Sequence, residues 1–306
     1  MADGIDGVRA LLGAKARPVG WAERRARLDE VASVDPPALD LEFTPARIGP
    51  LPAEWSLAPG SDPARVLLYF HGGGYCSGSI LSHRGMVGAA GRAAGVRTLA
   101  IGYRLAPEHP FPAALDDALD AYRFLLAEGY PPGWIALGGD SAGGNLLLAC
   151  MLRLRTEGLP LPGCGWLVSP WIDLRMTGES LDDKAAVDPL IQRDYLHGLA
   201  QAFLAGHDPD DPLISALHAD LSGLPPMLVQ VGSAETLLDD AVRVARALGA
   251  ADVEVRLEIW PHMIHAWHLW AARLAEGKAA IAAAGGFIAT RLQAAPSETL
   301  TETGGR

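Results

Sequence analysis

The apolar positions of this chain change their period along its length. Up to about residue 50 they recur at helical spacing among charged residues, and the run Trp21-Ala22-Glu23-Arg24-Arg25-Ala26-Arg27-Leu28 reads as a surface helix whose apolar side must cover something, a lid being one option. From Arg65 onward, short β-rich apolar runs at 66–70, 96–103, 134–137, 165–168, 227–231 and 253–259 alternate with helical stretches. That alternation predicts a mostly parallel sheet with helices on both faces. In the helical stretch 112–128, Ala113, Leu115, Ala118, Leu119, Tyr122, Leu125 and Leu126 form one apolar face, and Asp116, Asp117 and Asp120 are expected to point elsewhere. Asp116 and Asp117 also suit a helix start. Residues 174–221 break the rhythm with Asp-rich turns and prolines, which marks an insertion above the sheet. Residues 296–306 are polar, rich in Thr and Gly, and read as a disordered tail.

Composition narrows the class. At 306 residues one large core is simpler than two, and 35 Gly with 23 Pro fit a buried sheet joined by tight turns. A globular, soluble protein is expected. The net charge of −11 argues against nucleic acid or an anionic membrane as partner, because either would need clustered Lys and Arg. Asp3 and Asp6 interrupt the N-terminus, so a secretory signal is not expected, and no apolar run is long enough to span a membrane. Cys76, Cys150 and Cys164 are an odd count without zinc spacing, and two lie in apolar stretches. They read as inert, reduced thiols of a cytoplasmic protein. Oligomeric state is not legible; a homodimer is compatible with the sequence without being written in it.

The chemistry concentrates in four places. Gly139-Asp140-Ser141-Ala142-Gly143 follows an apolar strand and precedes an apolar helix, the setting of a nucleophile elbow. A serine there sits on a strained strand-to-helix turn with its hydroxyl exposed, and the Ala142 amide at the helix start points toward developing negative charge. His71-Gly72-Gly73-Gly74 follows the strand at 66–70, and glycines there let backbone N–H groups approach a carbonyl oxygen, which makes Gly73 and Gly74 candidate oxyanion donors. Three glycines alone would be an ordinary flexible loop; the elbow seventy residues later makes them specific.

A serine nucleophile needs a base, and the base needs an acid to fix its tautomer. Of nine histidines, His262, His265 and His268 fall after the last strand, and His265 is preferred; His262 suits a loop residue, His268 the next turn of a helix, and His109 a structural role. After the strand at 227–231, Glu235 comes first in the loop and is preferred as the acid, with Asp239 as the runner-up and Asp240 as a helix-start carboxylate. Trp267 and Trp270, at helical spacing, read as packing residues.

Together with the block Tyr103-Arg104-Leu105-Ala106-Pro107-Glu108-His109-Pro110-Phe111-Pro112-Ala113-Ala114, these motifs resemble the hormone-sensitive-lipase branch of the α/β-hydrolases from about residue 51 to 292. The resemblance implies an α/β-hydrolase fold, with a mostly parallel central sheet, helices on both faces and a helical cap. It further implies Ser141 as nucleophile, His265 as base, and Gly73, Gly74 and Ala142 as the oxyanion hole. The expected organisation is cap helices over 1–50, a catalytic domain over 51–295 carrying the insertion at about 174–221, and the tail. One departure stands out. The family usually has an Asp-x-Leu-x-Asp pattern, whereas this chain has Glu235-Thr236-Leu237-Leu238-Asp239, which puts a glutamate in the acid's place.

The expected activity is hydrolysis of short-chain acyl esters, lactones included, through an acyl-enzyme, on a small-molecule substrate and with no metal or cofactor. An amidase or peptidase with the same machinery, and a silent ligand-binding protein of the same fold, are the alternatives.

Overall fold

The computed structural model describes residues 4–34 and 36–292. The elements in chain order are α1 (Ile5–Gly13), α2 (Trp21–Ala32), β1 (Glu42–Ile48), β2 (Leu51–Leu57), β3 (Asp62–Phe70), α3 (Ile80–Ala94), β4 (Val96–Ile101), α4 (Ala113–Ala127), β5 (Ile135–Asp140), α5 (Ala142–Thr156), β6 (Cys164–Val168), α6 (Ser180–Asp183), α7 (Arg193–Leu204), β7 (Met227–Gly232), α8 (Leu238–Ala250), β8 (Val255–Trp260) and α9 (Ala275–Arg291).

They build one eight-stranded sheet in the order β1-β2-β4-β3-β5-β6-β7-β8. The pairs from β4 through β8 are parallel, and β1 and β2 add two antiparallel strands at one edge. Each core strand is buried on both sides, and its two-residue period splits it between two cores. Val66, Leu68 and Phe70 of β3 join α4, α5 and α8, while Leu67 and Tyr69 join α3 and α9 on the opposite face. The six strands expected from the sequence are present within a few residues of their expected ends.

Two expectations need correction. The helical reading of residues 1–50 stops at α2, because 42–48 and 51–57 pair as an antiparallel ribbon around Gly49 and Pro50. Asp117 does not point away from the core. It is buried and takes the Arg104 guanidinium and the Arg104 amide. The tail at 296–306 lies outside the described residues.

Chain direction positions the site. From β3 the chain crosses to β4 on one side, and from β4 it returns to β5 on the other, so the loops after β3 and β5 leave their neighbouring strand ends in opposite directions. Open parallel sheets form their binding crevice at such a reversal. The glycine loop follows β3 and the serine turn follows β5, so both line this crevice.

Above it lie α1, α2 and the residues between β6 and β7. Val8 of α1 is fully buried among Met263, Ile264, Trp267 and Trp270, which anchors the N-terminal helix on the loop that carries His265. Trp267 and Trp270 are thus packing residues. The three cysteines are buried and unpaired, and burial pushes the Cys76 and Cys164 thiols up to about 12. No helix among the described residues is long and apolar enough to cross a membrane.

Candidate active site

Ser141 stands between β5 and α5 with φ 53° and ψ −121°, a conformation that L residues adopt only when the surroundings impose it. Its N–H donates to Val168 O at 2.9 Å, and its C=O accepts from Gly144 and Trp171 at 3.0 Å each. A Cβ at Gly143 would run into the Phe70 carbonyl, so the first turn of α5 can pass this close to β3 only with glycine there. Ala142 opens α5, where backbone N–H groups have no acceptor within the helix. At Gly73, φ is +110° and a Cβ would meet the Ser77 carbonyl.

Asp140 joins the two loops. Its buried carboxylate accepts from the Gly72 amide and the Tyr69 hydroxyl, both at 2.9 Å, and faces His83 Nε2 at 3.2 Å. Burial pushes this carboxyl up, but His83 and the Tyr69 hydroxyl outweigh it and hold it below its usual value. Truncating Asp140 to alanine would strand three buried polar groups. Asp140→Ala is therefore expected to cost roughly 2–5 kcal/mol of stability and to lower kcat with it. Thermal unfolding of the variant checks this, and an unchanged Tm would remove Asp140 from that role.

The Tyr103 block braces the same loop from below. The Tyr103 hydroxyl donates to His71 O at 2.7 Å, and its ring stacks on the His71 ring with centroids 4.2 Å apart. Burial and the neighbouring His83 pull His71 down to about 4, so its ring is neutral at ordinary pH. Arg25 ties α2 to this floor, donating to Cys76 O, Ala106 O and the Glu108 carboxylate.

Across the crevice, His265 Nδ1 lies 3.0 Å from Glu235 Oε2. The other oxygen, Oε1, accepts from the Gly232 amide at 2.6 Å and the Ser169 hydroxyl at 2.8 Å, and Glu235 is wholly buried. Burial lowers the affinity of His265 for a proton, but the Glu235 carboxylate more than offsets it, and the imidazole ends above its ordinary 6.5. Burial likewise pushes Glu235 up, against the pull of the imidazole and the Gly232 amide.

The structure brings Gly73, Gly74, Ser141 and His265 onto the wall of one cavity of about 490 Å³. It separates the remaining candidates. Asp239 accepts from the Ser180 amide in the insertion, and Asp240 accepts from the amides of Ile172 and Asp173. His262 is exposed, His268 is buried against Gln230 Oε1 at 2.9 Å, and His109 is exposed on the block after β4.

Three supporting residues escaped sequence reasoning. Ser169 donates to Glu235 and accepts from the Ala266 amide at 3.0 Å, which joins Glu235 to the histidine loop. Asp188 accepts from the Thr236 amide, the Thr236 hydroxyl and two amides of its own segment, which fastens the insertion to the acid loop. Asn145 of α5 donates to the Tyr75 hydroxyl and Ile214 O. Apart from the two Asp188 bonds within its own segment, each contact spans tens of residues in sequence, and no local pattern marks it.

The sequence profile of the alpha/beta hydrolase fold matches residues 67–269. An acetyl-hydrolase of Streptomyces hygroscopicus is 47% identical over 243 residues, 79% of this chain and 81% of its own. An esterase of Acinetobacter venetianus is 35% identical over 259 residues, 84% of this chain and 85% of its own. The crystal structure of an esterase from the bacterial hormone-sensitive lipase family superposes with a TM-score of 0.93 at 44% identity, over 96% of this chain and 100% of that one.

Proposed function

Because this chain belongs to the α/β-hydrolase fold family, in the hormone-sensitive lipase branch, and is a carboxylesterase, we propose that it hydrolyses short-chain acyl esters through Ser141, His265 and Glu235. The observation that carries this reading is the contact between His265 Nδ1 and Glu235, with the same histidine on one cavity wall with Ser141.

In this scheme His265 Nε2 takes the Ser141 hydroxyl proton as Oγ attacks the ester carbonyl. The carbonyl π electrons move to oxygen, and the N–H groups of Gly73, Gly74 and Ala142 receive the charge. Collapse breaks the bond to the alcohol, which departs with the proton from His265, and the acyl group stays on Ser141 Oγ. Water then gives a proton to His265 and adds to the acyl carbon; the acid departs and Oγ recovers its proton. Glu235 holds the imidazole with its proton on Nδ1 and balances the imidazolium charge.

The cavity supports a preference for small esters. Its wall includes Leu12, Leu28, Leu196 and Leu199, enough for a short acyl chain within about 490 Å³. Initial rates on nitrophenyl esters from acetate to palmitate, beside a matched nitroanilide, test this. Rates should be highest from acetate to hexanoate and fall for long chains, with the anilide far slower. Rates rising to palmitate would overturn the small-pocket reading, and an anilide cleaved as fast as its ester would move the assignment to an amidase.

We assign the two cap segments to the helices α1 and α2 and to the insertion at about 174–221, on the support of the joint lining of this cavity by residues from 12–31 and 189–199. The protein is placed in the cytoplasm on the support of its three unpaired buried thiols. A homodimer is compatible with the exposed Ile259 on the edge strand β8.

A further inference from the structure

The chain carries a net charge of −11, yet the cavity wall is cationic. Lys15, Arg17, Arg24 and Arg27 line it, and its one carboxylate, Asp140, is taken up by Gly72, Tyr69 and His83. The four cations are not equivalent. Lys15 and Arg27 share the Glu30 carboxylate. Arg17 and Arg24 have no carboxylate partner among the described residues.

Both are nevertheless held in place. The Arg17 guanidinium carbon lies 4.2 Å from the centroid of the Tyr195 ring, and its Nη2 donates to Leu190 O. The Arg24 guanidinium carbon lies 5.1 Å from the same ring and 4.7 Å from the Trp21 ring, with Nε donating to Pro18 O at 3.1 Å. Two like charges thus converge on one aromatic ring of α7, and among the described residues most of their N–H donors have no acceptor. Holding them together costs electrostatic energy that an anion between them would offset, and a guanidinium is the side chain best shaped to take a carboxylate by two parallel hydrogen bonds. The contact with Tyr195 and one backbone bond each leave the other guanidinium N–H groups available for that purpose.

We infer that the enzyme is built for esters that carry a carboxylate away from the scissile bond, bound by Arg17 and Arg24. This inference rests on the esterase reading of the same cavity. The anion can belong to the acyl chain or to the alcohol; in both, the recognised group is a carboxylate tethered to an ester of Ser141's reach.

Two substrate pairs test it on the wild-type enzyme. One sets mono-4-nitrophenyl adipate against methyl 4-nitrophenyl adipate, with the charge on the acyl side. The other sets 4-acetoxybenzoate against its methyl ester, with the charge on the leaving side. In at least one pair the charged ester should exceed its neutral counterpart about tenfold in kcat/KM, chiefly through a lower KM, and added salt should shrink the ratio. In the double variant Arg17→Ala, Arg24→Ala the ratio should collapse toward one, and in Arg17→Lys, Arg24→Lys part of it should return. Equal or reversed ratios in both pairs overturn the inference, as does a preference that survives the double alanine variant. If neither member of either pair is cleaved, the esterase reading fails and the inference falls with it. Neutral esters cleaved without any preference for charge would sink the inference alone.

Discussion

Ser141→Ala is expected to lower kcat for short esters by about 10⁴–10⁶-fold while the protein stays folded. The size follows from what the substitution removes. Only the Oγ that forms the acyl bond in the proposed scheme is lost, and with it the covalent route. The backbone bonds that hold the turn, to Val168, Gly144 and Trp171, do not involve the hydroxyl and persist in alanine. The strained φ of 53° is no harder for alanine than for serine. Steady-state rates beside a thermal unfolding curve check both halves. Turnover near the wild-type value would remove Ser141 from the chemistry, and a collapsed Tm would show that the residue serves the turn instead.

Glu235→Gln is expected to cost about 10²–10⁴-fold in kcat/KM, with a change in pH dependence that a structural defect would not produce. The glutamine carbonyl can still accept from Gly232 and Ser169, which leaves its NH₂ facing His265 Nδ1. That contact favours the tautomer with the proton on Nε2, the nitrogen that must be bare to take the serine proton. In the proposed scheme the working base is neutral imidazole, and the Glu235 carboxylate holds His265 above 6.5, so the wild-type rate should fall off on the acid side with a midpoint above that value. Without the anion the imidazolium loses its partner, and the midpoint should move to lower pH. A pH profile of kcat/KM for both proteins reads this, and a shift to higher pH would contradict the pairing. In the same assay Asp239→Ala should lose far less, because its carboxylate is committed to the Ser180 amide.

The parts of this site that could be read from the sequence are those whose chemistry demands particular residues in a row. The Gly139 to Gly143 turn and the Gly72 to Gly74 loop are of this kind, since backbone approaches that no side chain permits leave a contiguous trace. Glu235 was picked out by order along the chain, even with a methylene more than the family pattern, and the structure pairs it with His265. The first two strands were not. β1 carries Pro45 and an edge position that leaves much of it exposed, so its alternation is weak, and charged neighbours favour a helical reading. Gly49 with Pro50 was the available sign of a turn between two extended runs. Asp117 and Asp240 show the same limit from the other side. Both look like ordinary helix-start acids, and only the arrival of Arg104 at one, and of the 172–173 amides at the other, shows that they are buried.

The cavity wall has an uneven origin. Apart from the glycine loop, the serine turn, His83 and the histidine loop, it comes from 12–31 and 189–199, stretches that contribute no strand to the sheet. Selection can therefore rewrite the exposed and half-buried positions of these stretches with little penalty to folding, sparing the buried Leu196 and Leu199, while the groups at the strand ends remain fixed. Paralogues of such a chain can diverge in diet while sharing one chemistry, and a designer seeking a new substrate would begin with Arg17, Arg24 and Tyr195 and leave the strands alone.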